Sequence, residues 1–237
     1  MALTPDTPNE AFLREVDENL RRDQLEGFAR RYGKWLIGAV LLFLVAVGGY
    51  LFWHNKQQET AAAQSEELAS IYDQIGAGNS EAANKRLQPL EKSSNDVVRA
   101  LALLAEAATA LDANNRDAAL GKYRAIAADD DLPEPYRNLA LIRATTLEFD
   151  QLKPEEVVSR LEPLTKPGEP WFGSAGELTA MAYLKQGQKD KAGRLFAAIA
   201  HDKQVPETMR SRAVQIASTL GIDAGPMPPA SQAGSNE

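Results

Sequence analysis

The longest apolar stretch of the chain covers residues 35–53 and contains no charged side chain. As an α-helix it would span roughly 28 Å, close to the thickness of the hydrocarbon core of a bilayer. Trp35, Tyr50 and Trp53 stand near its two ends, and amphipathic rings of this kind prefer the level of the lipid headgroups. The pattern therefore predicts one transmembrane helix in contact with membrane lipids, with these three residues as its anchors.

Basic residues are distributed unevenly around this stretch. Within about 20 residues of its ends, five basic side chains precede it and only Lys56 follows it. The five are Arg21, Arg22, Arg30, Arg31 and Lys34. Because basic flanks stay in the cytoplasm, the bias predicts a cytoplasmic N-terminus and a C-terminal domain across the membrane.

Two other interpretations of the stretch remain open. It could be a buried core helix, or a signal peptide that is cleaved near the small residues at 61–63. An uncleaved signal anchor is favoured, because the preceding region is long and acidic and the apolar run exceeds that of a usual signal peptide.

The segments on either side are polar in different ways. Apolar residues recur at helical spacing within residues 1–34, which predicts a cytoplasmic segment with an amphipathic helix, either on the inner leaflet or docked to a partner. Residues 54–65 are polar and compatible with a helix, and they are predicted to form a juxtamembrane stalk.

After the stalk, the apolar pattern becomes a repeat. A small or β-branched residue is followed four and seven residues later by large apolar ones, at steps of 36, 38 and 35 residues. The four triplets are Ala83/Leu87/Leu90, Ala119/Tyr123/Ile126, Val157/Leu161/Leu164 and Ala192/Phe196/Ile199. A unit of this length corresponds to two antiparallel helices, and neighbouring hairpins must stack to bury both of their faces.

The predicted fold is therefore all-α. A single N-terminal transmembrane helix precedes a solenoid of about four helical hairpins and a capping helix, over residues 66–222. Residues 223–237 are rich in Pro, Gly and Ser, which predicts a disordered tail.

The repeat resembles the tetratricopeptide repeat (TPR). Ala182 and Tyr183, followed by Gly187, Ala192 and Phe196, fit its spacing of small, aromatic, glycine, alanine and aromatic residues. The whole layout, with a basic segment at residues 28–35, one span, a Gln-rich stalk and TPR-like repeats, resembles the YfgM-like family. That resemblance implies an ancillary subunit of the Sec translocon in the bacterial inner membrane. Its periplasmic repeats would meet exported or partly folded polypeptides and periplasmic chaperones.

The composition and the motifs argue against several kinds of functional site. The 237 residues carry a net charge of −7, include no cysteine and only two histidines, and show no basic footprint for nucleic acid. The acidic run at residues 129–131 lacks the ligand spacing of a calcium loop, and the glycines at 173–176 lack the context of a phosphate loop. We therefore expect no cofactor, no metal site and no enzymatic activity.

The remaining candidate site is the surface formed by the first helices of the hairpins. Repeat register assigns seven apolar residues to it: Leu101, Leu104, Leu111, Leu139, Ile142, Met181 and Leu184. Trp171 and Phe172 could form a peptide-binding pair, but core packing is favoured for them. Two functions fit such a surface: binding of extended or partly folded polypeptide, or a scaffold for envelope assembly or division that binds one folded partner. The oligomeric state is not indicated.

Overall fold

The computed structural model describes the backbone of residues 8–225 and the side chains of Lys34, Trp35 and residues 37–225. Within these residues the regular structure is entirely helical. The internal contacts of the chain divide it into two compact units, Met1–Ala62 and Ala63–Glu237.

The first unit is formed by the long helix α1, which covers Pro8–Gly76 and whose last residues, from 63 onwards, belong to the second unit. From Ile37 onwards α1 is long and apolar enough to cross a membrane, and none of its apolar window is buried. Trp35, Tyr50 and Trp53, which the sequence predicts to be membrane anchors, are 80%, 62% and 61% exposed. Lys34 is also exposed, whereas the side chains of Arg21, Arg22, Arg30 and Arg31 lie outside the described residues.

The second unit continues with eight further α-helices in the described part of the chain. A short 3₁₀ helix, Glu162–Leu164, separates the sixth helix from the seventh. The helices are α2 (Ser80–Leu90), α3 (Asp96–Asp112), α4 (Arg116–Ala128), α5 (Glu134–Glu148), α6 (Pro154–Leu161), α7 (Phe172–Lys185), α8 (Lys189–His201) and α9 (Glu207–Thr219). We call α3, α5 and α7 the first helices and α2, α4, α6 and α8 the second helices.

Local sequence accounts for where these helices begin and end. The Asn95 side chain accepts hydrogen bonds from the backbone N–H groups of Val97 and Val98 and so caps α3. The turns after α3 and α7 need a left-handed residue, which is Asn114 (φ 57°) in one and Gly187 (φ 74°) in the other. Asparagine tolerates this conformation better than most residues, so it replaces the glycine of the repeat at that turn.

The predicted triplets form the buried side of the second helices. Eleven of the twelve triplet residues are at most 5% exposed, and Phe196, Leu161 and Leu87 are among the largest fully buried side chains. Leu164 is the exception: α6 ends at Leu161, and Leu164 lies half-buried in the 3₁₀ helix that follows. We call this set of triplets the second-helix stripe.

A buried carboxylate joins three consecutive helices at the middle of the unit. Glu148, at the end of α5, is 3% exposed and accepts hydrogen bonds from Arg124 on α4 and from Arg160 on α6, the latter at 2.9 Å. Burial acts to raise the pKa of Glu148, but the two arginines outweigh it and hold the pKa below its usual range. The ion triad therefore ties α4, α5 and α6 together.

Two apolar residues that follow α9 pack onto the repeat domain. Ala224 is 2% exposed and belongs to the core cluster formed by α7, α8 and α9. Ile222 lies against Gly193 so closely that a Cβ there would be 2.5 Å from Ile222 Cγ1. The apolar residues Ile222 and Ala224 hold this segment on α8 despite its flanking glycines; the rest of the predicted tail, residues 226–237, lies outside the described residues.

Candidate functional site

A groove of about 540 Å³ lies between α5, α7 and α9. Its lining is a mixture of large apolar side chains and a few polar or charged ones. The lining residues are Leu139, Ile142, Arg143, Thr146, Phe149, Asp150, Trp171, Ser174, Glu177, Leu178, Met181 and Met209. We refer to this set as the groove.

Helical periodicity places the lining on matching faces of the two first helices. The contributions of α5 fall at residues 139, 142, 143 and 146, and those of α7 at residues 174, 177, 178 and 181. Both sets follow the spacing i, i+3, i+4 and i+7, which puts side chains on one face of a helix. The repeat therefore presents two similar faces side by side, and Met209 of α9 adds to the lining.

The apolar lining is partly open to solvent. Met181 is 42% exposed, and Trp171, Leu178 and Met209 are half-buried. Methionine is flexible and polarisable, and surfaces rich in it can adapt to partners of different shape. The groove can therefore bury apolar side chains of a partner without a rigid fit.

The two carboxylates of the groove are compensated by this chain. Asp150 accepts a hydrogen bond from Lys185 Nζ at 2.8 Å, and this bond and the positive charge lower the pKa of Asp150. Lys185 Nζ also lies 4.4 Å from the ring centroid of Phe149. Glu177 accepts two hydrogen bonds from the guanidinium of Arg212, each at 2.7 Å.

The cation of the groove is Arg143, which is exposed on α5. Within the part of the chain that the structure describes, Arg143 forms no ion pair with a carboxylate. Its charge does reach the phenol of Tyr123, where it offsets part of the rise in pKa that burial causes. The groove therefore carries one guanidinium that is in no ion pair among the described residues; the charge of Asp112 acts on the same phenol and in the opposite direction.

The structure separates the seven residues that repeat register assigns to the surface. Leu139, Ile142 and Met181 line the groove, although Ile142 is only 6% exposed. Leu111 is 38% exposed on α3, outside the groove, and Leu101 and Leu184 are half-buried at the edges of core clusters. Leu104 is 8% exposed and packs within the core, so it is not part of a surface.

Several residues of the groove are not among the seven that repeat register assigns to the surface. Core packing is predicted for both Trp171 and Phe172; Phe172 is fully buried, and Trp171 is half-buried, packs against a core cluster and also lines the groove. Arg143 lies four residues after Leu139, and Leu178 lies three residues before Met181. Helical spacing could therefore have predicted that Arg143 and Leu178 lie on the same faces as these two residues. Met209 lies on the capping helix, for which no surface was assigned.

The acidic run at residues 129–131 and the glycines at residues 173–176 have structural roles. Asp129 accepts a hydrogen bond from the backbone N–H of Asp131, and Asp130 forms an ion pair with Arg137. Gly173 and Gly176 allow close packing of α7, since a Cβ at these positions would lie 3.0 Å from Val205 and 3.1 Å from Ile199. Among the described residues no group of three or more His, Asp or Glu side chains is arranged to hold a metal ion.

Comparison with known proteins agrees with this architecture. Residues 27–217 match the model of a family described as a tetratricopeptide repeat-like domain, whereas no curated protein and no solved structure gives a significant match. Domains of this kind are typically non-catalytic and bind protein partners on an extended concave surface. The match covers most of the sequence, and the chain therefore belongs to the tetratricopeptide repeat-like domain family.

Proposed function

We propose that this protein is a membrane-anchored module that binds polypeptide segments in the groove between α5, α7 and α9. The observation that carries this proposal is the groove itself: it combines exposed Met181 with half-buried Trp171, Leu178 and Met209 on adjacent helices of a repeat domain. A side chain of a bound segment would exchange contact with water for contact with this lining, which is favourable for apolar residues.

The anchor is the second part of the proposal. The described side chains of the apolar part of α1 are all exposed, as those of a helix surrounded by lipid would be. The excess of basic residues before the span supports a cytoplasmic N-terminus, and the domain that follows would then lie in the bacterial periplasm. The single-pass arrangement would keep the groove close to polypeptides that emerge at the inner membrane.

The narrower assignment rests on the sequence resemblance to the YfgM-like family. By that resemblance the protein is an ancillary subunit of the Sec translocon that links exported or partly folded polypeptides to periplasmic chaperones. A scaffold that binds one folded envelope partner has the same repeat domain, and the partners alone distinguish the two functions.

In-cell photo-crosslinking in native membranes tests the proposal. A photoreactive residue is placed at Met181 in the groove, at Gln57 in the stalk and, as a control, at Arg194 on the exposed side of α8. Mass spectrometry then identifies the adducts.

We expect many exported chains from Met181, translocon subunits from the stalk, and neither class from Arg194. Adducts to one folded envelope protein, without translocon subunits, would overturn the translocon assignment. Equal client adducts from Met181 and Arg194 would overturn the groove as the binding site.

A further inference from the structure

We propose that the groove selects segments in which an acidic side chain lies beside an apolar one, and that Arg143 binds the carboxylate. This inference rests on the proposed function, since it names the class of segment that the groove holds. It follows from which charges of the groove are already compensated and which are not.

The anionic side chains of the groove have partners within the chain. Asp150 accepts a hydrogen bond from Lys185 at 2.8 Å, and Glu177 accepts one from Nε and one from Nη2 of Arg212, each at 2.7 Å. A lysine or arginine of a bound segment would have to replace one of these cations. Such a replacement exchanges one ion pair for another of the same kind, so a basic segment gains little binding free energy from the groove.

Arg143 is in the opposite situation. Arg124, Arg160 and Arg212 each donate to a carboxylate of this chain, whereas Arg143 does so with none among the described residues. A guanidinium presents a planar fork that matches the two oxygens of a carboxylate. An acidic side chain of a bound segment could therefore form the ion pair that Arg143 lacks among the described residues.

The position of Arg143 places this cation beside apolar lining. Leu139 lies one turn before it on α5 and lines the same groove, as does Leu178 of α7. A segment whose carboxylate reaches Arg143 would consequently lay its neighbouring side chain on these residues. The preferred occupant is thus a segment with an adjacent acidic and apolar pair, rather than a segment that is only apolar.

The experiment measures binding of one set of fluorescent peptides to the full chain in detergent micelles. The peptides share one apolar frame and carry Asp, Asn or Lys at a single position next to a leucine. The proteins are the wild type, Arg143→Gln, Arg143→Glu, and Arg194→Gln as a matched control on α8, outside the groove. Fluorescence anisotropy at low and high salt gives the affinities.

We expect the wild type and Arg194→Gln to bind the Asp peptide about tenfold more tightly than the Asn peptide, with the difference reduced at high salt. Arg143→Gln should bind both peptides alike, and Arg143→Glu should prefer the Lys peptide. A preference for Asp that persists in Arg143→Gln would overturn the role of Arg143, while peptide binding as such would keep the proposed function. Failure of every peptide to bind, in all four proteins, would overturn both. Asp preference lost equally in Arg194→Gln would show a general charge effect and would also overturn the inference.

Discussion

The second helices and the first helices of the repeat domain both carry apolar residues at helical spacing, but these residues have different roles. In the second-helix stripe, Phe196, Leu161 and Leu87 are at most 1% exposed and fill the space between neighbouring helices. On α5 and α7, the faces that line the groove keep Met181 at 42% exposure and leave Arg143 without a carboxylate partner among the described residues. A buried stripe fixes how the hairpins stack, and an incompletely covered face leaves surface for a partner.

The largest expected effect separates two residues that the sequence assigned to the same surface. Leu104→Asp would bury a charge at a core position that is 8% exposed, and we expect a loss of more than about 4 kcal/mol, which prevents folding of the domain. Met181→Asp, at an exposed position of the groove, should leave the domain folded. Circular dichroism and limited proteolysis of both variants would check this. Two folded variants would show that Leu104 is not in the core.

The second prediction compares two phenylalanines. Phe196→Ala removes a ring that is 1% exposed, so we expect a loss of about 3–5 kcal/mol in the free energy of unfolding. Phe149→Ala removes a half-buried ring of the groove and should cost about 1–2 kcal/mol. Urea denaturation of the full chain in micelles measures both. Similar losses would contradict the difference between stripe and groove.

The third prediction concerns the carboxylate between two arginines. Glu148→Gln removes its charge, and we expect a loss of about 1–2 kcal/mol, because Arg124 and Arg160 are 58% and 31% exposed and water screens them. Since the folded pKa of Glu148 is lowered, its contribution is present above the ordinary carboxyl pKa and is lost as the pH falls through the folded value. The difference between wild type and Glu148→Gln should therefore shrink below about pH 4.3. A difference that stays constant down to acid denaturation would contradict the triad.

The smallest expected effect concerns a carboxyl group in the opposite environment. Burial, followed by the charge and the hydrogen bond of Glu106, raises the pKa of Glu91, and Lys122 and Lys92 only partly oppose this. A raised carboxyl pKa contributes stability below the ordinary value, and this stability is lost as the pH rises through the folded pKa. Glu91→Gln should thus be more stable than wild type at neutral pH by up to about 0.5 kcal/mol, and the advantage should vanish in acid. Destabilisation at neutral pH would show that the charged form of Glu91 is favoured in the fold.

Much of the fold could be predicted from the sequence, because the packing of each hairpin requires residues of particular size at regular intervals. A small or β-branched residue and a large residue one turn later recur at every hairpin, and the structure buries both. The TPR-like architecture is confirmed, whereas the narrower resemblance to the YfgM-like family stays a prediction. The early end of α6 was missed, and Leu164 is only half-buried as a result.

The groove was harder to predict, because apolar residues at a surface and in a core look alike in sequence. Leu104 and Met181 both sit on first helices and were both assigned to the surface by repeat register, and only the packing of neighbouring helices separates them. Arg143 was missed for a related reason: whether an arginine has a carboxylate partner depends on residues of other helices. The partners of Arg124 and Arg212 are 24 and 35 residues away along the chain.

The measurement that tests the groove most directly uses the absence of cysteine from the sequence. Single cysteines at Met181 and at Arg194 can each be labelled with a maleimide in the full chain, with and without a permanently unfolded, cysteine-free polypeptide. We predict that the polypeptide slows labelling of Met181→Cys about tenfold or more, because it covers the groove, and leaves labelling of Arg194→Cys unchanged. Equal labelling rates at Met181 with and without the polypeptide would contradict the claim that the groove is the binding surface.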